Sequence, residues 1–262
     1  MKNRSSRAES FNQVPELYHR YRPGYPPEIF LELQKRTGLK AGSEILEIGA
    51  GSGQATGNLL IAGYKVTALE PAAGLRAILE DQLRSDPQLK VHHSTFEEFS
   101  STTQFAAVFA AQSFHWPDPE TKYQKVCELL RDKGWLVLVW NLQYRFDEPL
   151  RGELDRAYSK FMPPRQQPFN TRNDTPEQVL KNFQREVDSS ELFFSSTTVS
   201  LPNSMKLTTA GYLGFLSTHS DHRELSEEQR NNLLKAIEEI LDKRDSEIEI
   251  YYLTGMILAQ KR

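Results

Sequence analysis

The sequence predicts a doubly wound α/β fold, in which helices cover both faces of a mainly parallel sheet. Strand-like and helix-like segments alternate over the first 141 residues. Apolar strands separated by helices imply parallel pairing with right-handed crossovers. A second observation is the stretch 45–56, in which a short apolar strand runs directly into closely spaced glycines and then a helix. Such a turn brings bare backbone N–H groups and a helix N-terminus close to a ligand.

The elements of this first part follow in regular order. Segment 105–111 is apolar throughout, which is typical of a strand covered on both faces. A first helix begins at Pro26-Pro27, places Ile29, Phe30 and Leu33 on one face and ends near Gly38. The remaining predictions are strands at 45–48, 65–69, 89–92, 105–111 and 135–140, helices at 53–62 and 74–83, and a helix after Asp118-Pro119.

Beyond Asn141 the pattern changes, and we predict a helical cap over the carboxyl edge of the sheet. The proline-rich stretch 163–168 is predicted to be irregular. Two capping boxes, at 175–178 and 226–229, predict helix starts. Further predictions are a helix at 150–161 and strands at 193–199 and 248–259. We expect a single domain over 1–262, with core segments 27–141 and 186–262 and approximate cap segments 1–26 and 142–225.

Composition narrows the class of protein. The 262 residues carry a formal net charge of −3 and a pI of about 6.1, which does not favour a nucleic-acid partner. The single Cys127 excludes an intrachain disulfide. The N-terminus lacks the apolar segment of a signal peptide, and no apolar run is long enough to span a bilayer. We therefore expect a cytoplasmic protein with no membrane partner, as a monomer or homodimer.

Glycine spacing in the first turn distinguishes between nucleotide ligands. Dinucleotide-binding turns follow Gly-x-Gly-x-x-Gly, whereas the glycines here are Gly49, Gly51 and Gly53, and Gln54 takes the dinucleotide position. An acid, Glu47, also stands within the strand. A second acid, Glu70, ends the next strand, where a carboxylate can accept hydrogen bonds from ribose hydroxyls.

The Glu-x-Gly-x-Gly-x-Gly pattern resembles the first motif of the class I S-adenosylmethionine-dependent methyltransferases. Segments 93–99, 112–116 and 130–135 resemble the family's loop after the third strand, the motif after the fourth and the turn before the fifth. Together with Tyr18, segments 22–26 and 113–116 resemble the small-molecule methyltransferases around trans-aconitate methyltransferase. The resemblance implies a Rossmann-like methyltransferase fold with seven strands, the last inserted antiparallel. It also implies S-adenosylmethionine as cofactor and S-adenosylhomocysteine as product.

A set of cofactor-binding residues follows from the resemblance. Glu47 and Glu70 would satisfy the ammonium group and the ribose of the donor, the glycines would leave room for its methionine part, and Tyr18 and Arg22 would close over it. The full set is Tyr18, Arg22, Glu47, Gly49, Ala50, Gly51, Gly53, Glu70, Pro71, Thr95, Phe96, Ala111 and Gln112.

His115 is the candidate catalytic residue, because an imidazole can accept a proton at neutral pH. Alternatively, His115 only shapes the pocket, and an acceptor that is already an ionised carboxylate needs no base. Phe114 and Trp116 either line the acceptor pocket or belong to the core. His219 and His222 could hold a metal on one helical turn, but no third ligand is evident, and we predict no metal.

The predicted function is transfer of a methyl group to a small-molecule acceptor, with a carboxylate oxygen preferred. That preference rests on four arginines near the expected mouth: Arg22, Arg145, Arg165 and Arg172. A nicotinamide-dependent oxidoreductase shares the strand–turn–helix and the distant acid, but it is disfavoured by Gln54 and by the acid in the first strand. A non-catalytic regulator that keeps the donor site is a third reading.

Overall fold

A seven-stranded sheet forms the centre of the protein. The computed structural model describes residues 14–162, 174–244 and 247–262. The strands are β1 (Glu44–Ile48), β2 (Lys65–Leu69), β3 (Leu89–His92), β4 (Phe105–Ala111), β5 (Leu130–Gln143), β6 (Thr197–Thr208) and β7 (Glu247–Gln260).

Strand order confirms the predicted topology. The order is β3-β2-β1-β4-β5-β7-β6, and β1 to β5 pair in parallel. Strand β7 is inserted between β5 and β6 and is antiparallel to both. The chain therefore has the Rossmann-like methyltransferase fold that the resemblance implies, with the last strand reversed.

Helices cover both faces of this sheet. Leu33 and Leu59 pack on one face with Ile45 of β1, whereas Val126 and Leu180 pack on the other face with Leu46. This alternation along β1 is what a strand buried on both faces requires. The helices are α1 (Pro15–Tyr21), α2 (Pro27–Thr37), α3 (Thr56–Ile61), α4 (Ala73–Leu83), α5 (Lys122–Leu129), α6 (Leu150–Phe161), α7 (Pro176–Asp188), α8 (Thr209–Ser217), α9 (Ser220–Arg223) and α10 (Glu227–Leu241). Within the described ranges, none of these helices combines the length and apolar character needed to cross a membrane.

A third apolar cluster forms the helical cap. Leu154 of α6, Phe215 of α8 and Ile237 of α10 pack together, and Ile250 and Tyr252 of β7 join them. Because β7 runs from this cluster into the central sheet, the cap is continuous with the core. Both predicted capping boxes are present, at the starts of α7 and α10.

Three predicted elements have wrong boundaries. Helix α3 begins at Thr56 rather than at residue 53, because the glycine turn extends further along the chain. Strand β5 continues to Gln143 because β7 pairs with it along its whole outer half. The strand predicted at 193–199 is instead Thr197–Thr208, and Phe193 makes only an isolated bridge. Pro202 lies inside this edge strand, where a proline is tolerated. The proline-rich stretch 163–168 lies outside the described residues.

A buried polar chain joins the N-terminal segment to β5 and β7. The Thr254 hydroxyl donates to Asn141 Oδ1 at 2.6 Å, and Asn141 Nδ2 donates to the Gly24 carbonyl at 3.0 Å. The Asn141 carbonyl in turn accepts from Gln112 Nε2 at 3.1 Å. Thr254 is fully buried, so its hydroxyl cannot exchange this partner for water.

We expect Thr254→Val to lower the free energy of unfolding by about 1–3 kcal/mol, because it leaves Asn141 Oδ1 buried without its hydroxyl donor. Urea unfolding followed by circular dichroism measures the change. Thr198→Val, on the exposed face of β6, is the matched control and should shift stability by less than about 0.5 kcal/mol. Equal effects of the two substitutions would contradict a stabilising role for the buried chain.

Candidate functional site

A cavity of about 600 Å³ opens at the carboxyl ends of β1, β2 and β4. Ile48, Leu69 and Ala111, at or next to the ends of these strands, lie in its wall. The chain leaves β1 toward β2 on one side and later returns to β4 on the other, so the cavity lies at the topological switch point, where open α/β sheets bind ligands. We call it the donor cavity.

The glycine turn after β1 forms one wall and needs glycine for two reasons. Gly49 and Gly51 have φ of +65° and +62°, in the left-handed region that side chains disfavour. A Cβ on Gly49 would stand 2.7 Å from Ser113 Cβ, and one on Gly51 would stand 3.5 Å from the Tyr18 ring. Any other residue at Gly49 or Gly51 would therefore have an unfavourable backbone conformation, and its side chain would meet closely packed neighbours.

Glu70 holds this turn in place through its carboxylate. Its Oε2 accepts from the Gly51 amide and its Oε1 from the Ala72 amide, both at 2.8 Å. The Ala50 amide donates to the Leu69 carbonyl at 3.0 Å. The expectation that the turn presents bare amides to a ligand is thus wrong for these positions, because β2 and its terminal acid already engage them. Burial raises the pKa of the Glu70 carboxyl, although the amides of Ala72 and Gly51 oppose that rise.

Glu47 is a nearly fully buried acid beside a small adjoining cavity of about 30 Å³. Its Oε2 accepts from the Thr56 hydroxyl at 2.7 Å. Burial raises the pKa of Glu47 to about 8, with the Thr56 hydrogen bond opposing. A buried acid with one hydrogen bond and space beside it is suited to receive a cationic group, which would favour its ionised form. The ammonium of an amino-acid ligand fits this description.

The structure brings the predicted cofactor residues together, with one exception. Ten of the thirteen candidates line the donor cavity: Tyr18, Arg22, Gly49, Gly51, Glu70, Pro71, Thr95, Phe96, Ala111 and Gln112. Glu47 and Ala50 line the adjoining small cavity. Gly53 lines neither, because it lies behind the turn, where a Cβ would meet Leu79 of α4 at 2.9 Å.

Arg22 connects the N-terminal segment to the cap. Its Nε donates to the Thr218 hydroxyl and its Nη2 to the Thr218 carbonyl, both at 2.9 Å. The guanidinium also lies over the rings of Tyr18 and Phe215, at 5.2 and 5.6 Å from their centroids. Arg22 therefore borders the donor cavity while a cap residue holds two of its nitrogens.

The segment after β4 divides between cavity and core. His115 and Trp116 line the donor cavity, with ring centroids 4.6 Å apart. Phe114 is 2% exposed and packs against Tyr123, so it belongs to the core. Lys122, itself buried, donates to Glu186 at 2.6 Å and to the Phe114 carbonyl at 3.4 Å, which supports this segment from below.

A second cavity of about 430 Å³ adjoins the first under the cap. Arg22, Gln112 and His219 line both cavities. Its wall includes three buried donors without hydrogen-bond partners among the described residues: Gln143 Nε2, Arg145 Nη2 and the Tyr252 hydroxyl. We call this space the second cavity. Of the predicted arginines, Arg165 and Arg172 lie outside the described residues.

His219, Asp221 and His222 form a cluster in the cap, of which the sequence motif indicated only the two histidines. Their ligand atoms lie within 4.8 Å of one another, so Asp221 is the third group that the motif lacked. Both nitrogens of His222 are nevertheless engaged, because Nδ1 donates to Asp221 at 2.8 Å and Nε2 faces the Tyr158 hydroxyl at 3.2 Å. Burial would raise the pKa of Asp221, but hydrogen bonds from His222 lower it to about 2. Only tertiary packing places this cluster beside the donor cavity.

Glu47 should make stability depend on pH. Its pKa rises from an ordinary 4.5 in the unfolded chain to about 8 in the fold, so its contribution is complete below about pH 4.5 and is lost as the pH rises through about 8. Over that window we expect wild type to lose stability relative to Glu47→Gln, by up to about 1 kcal/mol per pH unit.

Urea unfolding of both proteins at several pH values measures this difference. Glu44→Gln, at the half-exposed start of the same strand, is the control and should follow wild type at each pH. A stability difference between wild type and Glu47→Gln that stays constant with pH would contradict the raised pKa of Glu47.

Residues 46–138 match a family model described as a methyltransferase domain. An uncharacterized methyltransferase of Mycobacterium tuberculosis is 35% identical over 133 residues, which are 50% of this chain and 52% of the relative. The chain thus spans about half the length of the mycobacterial relatives it matches.

Solved structures show the same fold across nearly the whole chain. A type II methyltransferase structure from Anaeromyxobacter dehalogenans has a TM-score of 0.62 at 18% identity, covering 92% of this chain and 98% of that one. A Geobacter sulfurreducens methyltransferase in complex with S-adenosyl-L-homocysteine has a TM-score of 0.54 at 15% identity, covering 95% and 97%. Residues 46–138 are therefore similar to a methyltransferase domain, and the chain has the fold of the class I S-adenosylmethionine-dependent methyltransferases.

Proposed function

We propose that the protein transfers a methyl group from S-adenosylmethionine to a small-molecule acceptor, at a carboxylate oxygen. The observation that carries the proposal is the pair of buried carboxylates, Glu47 and Glu70, on either side of a glycine turn at the switch point of the sheet. We further propose that residues 1–262 form one domain. In it, segments 27–141 and 186–262 form the donor-binding core, and segments 1–26 and 142–225, with approximate boundaries, form the cap.

The residues of the donor cavity suit the parts of this cofactor. S-adenosylmethionine supplies, when bound, a methyl group made electrophilic by its sulfonium. Glu47 would hold the ammonium, and Glu70 has further lone pairs for the ribose hydroxyls. Thr95 and Phe96 would contact the adenine, and the close-packed turn at Gly49 to Gly51 would leave room for the methionine part.

The second cavity is the proposed acceptor site. It shares three lining residues with the donor cavity, so an acceptor inside it can lie next to the methyl group. Buried donors without partners cost free energy unless a ligand satisfies them. Gln143 Nε2 and Arg145 Nη2 can only donate, and the Tyr252 hydroxyl can donate as well, which supports an acceptor rich in oxygen and negatively charged.

An ionised carboxylate requires no base, because its oxygen already carries the electron pair that attacks the methyl group. His115 lines the donor cavity and not the second cavity. In the proposed reaction His115 therefore shapes the donor cavity, which is the second of the two roles considered for it.

S-adenosylhomocysteine should bind the wild-type protein in a calorimetric titration. Gly51→Arg should abolish binding, because position 51 has a left-handed φ and a side chain there would grow from a turn already closed in by Tyr18 and Gln54. Gly57→Arg is the control, since α3 leaves open space at Gly57. Absence of wild-type binding at about 1 mM ligand would remove the proposed function.

Methyl transfer should favour acids over phenols and amines in a screen with radiolabelled donor. Arg145→Gln should lower kcat/KM for acids about 10-fold or more, because it removes a buried charged hydrogen-bond donor. Arg131→Gln removes an exposed arginine at the opposite end of β5 and should leave kcat/KM unchanged. Turnover of amines alone would overturn the carboxylate preference.

A further inference from the structure

His219 stands where the two cavities meet. Among the described residues, Arg22, Gln112 and His219 are the ones that line both cavities, so the proposed methyl transfer from donor to acceptor takes place beside them. Thr218 holds Arg22 through two hydrogen bonds, and Gln112 donates to the Asn141 carbonyl. Neither ring nitrogen of His219 has a hydrogen bond to any residue that the structure describes. The ring nitrogens of His219 can therefore form a hydrogen bond with a ligand where the two cavities meet.

The imidazole of His219 is held in a fixed position. Its main-chain amide donates to the Leu216 carbonyl at 3.0 Å, and its ring stands edge-on to Phe215 with centroids 4.5 Å apart. It follows directly on Thr218, which is fully buried and bonded to Arg22. The ring can therefore direct a hydrogen bond with little loss of conformational freedom.

The backbone of Gln112, on the same shared wall, is itself unusual. Its φ is +57°, in the left-handed region that residues other than glycine rarely adopt. Such strain persists where the surrounding structure enforces it, and it is concentrated at ligand sites. The amide and side chain of Gln112 are both tied to β5, through the Val139 and Asn141 carbonyls. Both Gln112 and His219, which line the two cavities where they meet, are therefore held in fixed positions.

The charge state of His219 follows from its neighbours. The Arg22 cation, which directly follows α1, faces it together with the Asp221 carboxylate and the His222 imidazole of α9. Phe215 of α8 covers it. Burial, with Arg22 adding to it, lowers the pKa of His219 well below its usual value, against the opposing pull of Asp221. The ring is therefore neutral at physiological pH, with one N–H donor and one lone pair.

A chain of hydrogen bonds stabilises the turn that carries His219, and it consists of Tyr158, His222 and Asp221. Burial raises the pKa of Tyr158 well above its usual value, so its hydroxyl stays protonated and donates to His222 Nε2. His222 Nδ1 then donates to Asp221. The chain runs from Tyr158 in the wall of the second cavity to Asp221 in the wall of the donor cavity, and it fixes the turn that presents His219.

We propose that His219 is the residue that orients the acceptor, by donating its N–H to the acceptor carboxylate at the junction of the two cavities. This inference rests on the proposed function. One carboxylate oxygen accepts from His219 while the other attacks the methyl carbon, the carbon–sulfur bond breaks, and its electron pair stays on sulfur. No proton moves, so His219 acts by hydrogen bonding and not as a base.

Binding of a carboxylate probe tests this assignment without an identified acceptor. Benzoate is titrated by calorimetry into protein saturated with S-adenosylhomocysteine. We expect His219→Phe, which keeps the ring contact with Phe215 but removes both nitrogens, to weaken benzoate binding about 10-fold or more. His219→Gln keeps an N–H donor and should stay within about 3-fold of wild type. His92→Phe, on exposed positions of edge strand β3, should change nothing.

The pH dependence separates a hydrogen-bond donor from a titrating base. Benzoate affinity of wild type should be constant between about pH 6 and about pH 8, because His219 remains neutral throughout. A benzoate affinity that rises about 10-fold toward pH 6 in wild type but not in His219→Gln would contradict the inference that His219 binds as a neutral hydrogen-bond donor.

Two further outcomes would contradict either the inference about His219 or the proposed function. Unchanged benzoate binding in His219→Phe, or no benzoate binding by wild type at about 50 mM, would overturn the inference about His219 alone. Failure of wild type to bind S-adenosylhomocysteine would instead overturn the proposed function. The two failures can be distinguished because binding of S-adenosylhomocysteine is measured in a separate titration without benzoate.

Discussion

The carboxylate of Glu70 is the interaction on which the rest of the site depends. Its two oxygens accept the amides of Gly51 and Ala72, and this ties the turn after β1 to the end of β2. The tie shapes the wall of the donor cavity and brings the turn against Ser113 and Tyr18. Because Glu70 is buried and ends a central strand, the turn is fixed before any ligand arrives. A preorganised turn of this kind reduces the cost of binding.

Burial gives the two acids different roles. Both have their pKa values raised by desolvation, but two amides stabilise charge on Glu70, whereas among the described residues only the Thr56 hydroxyl donates to Glu47. Glu47 borders a small cavity of about 30 Å³, and a cationic group there would favour its ionised form. The difference follows from position, since Glu70 lies at a strand end and Glu47 lies within a strand covered on both faces.

The cap and the core are joined at the place where the two cavities meet. Arg22 reaches Thr218, Asn141 reaches Gly24, and β7 runs from the cap cluster into the sheet. The second cavity is thus enclosed by segments far apart in the chain. The ring of His219 lines this cavity together with three buried donors that have no hydrogen-bond partner among the described residues, and the proposed acceptor would lie beside them.

Local patterns in the sequence determined the sheet, the glycine turn and the two acids. Apolar strands, glycine spacing and capping boxes act through neighbouring residues, and they placed 65–69, 105–111 and 150–161 correctly. The edge strand β6 was misplaced because its alternating exposure and Pro202 give no apolar run to detect. Tertiary structure alone decided that Gly53 lies away from the donor cavity and that Gln143, Arg145 and Tyr252 share one cavity. It also decided that His219 reaches the donor cavity, because such convergence depends on contacts between distant segments that no local spacing encodes.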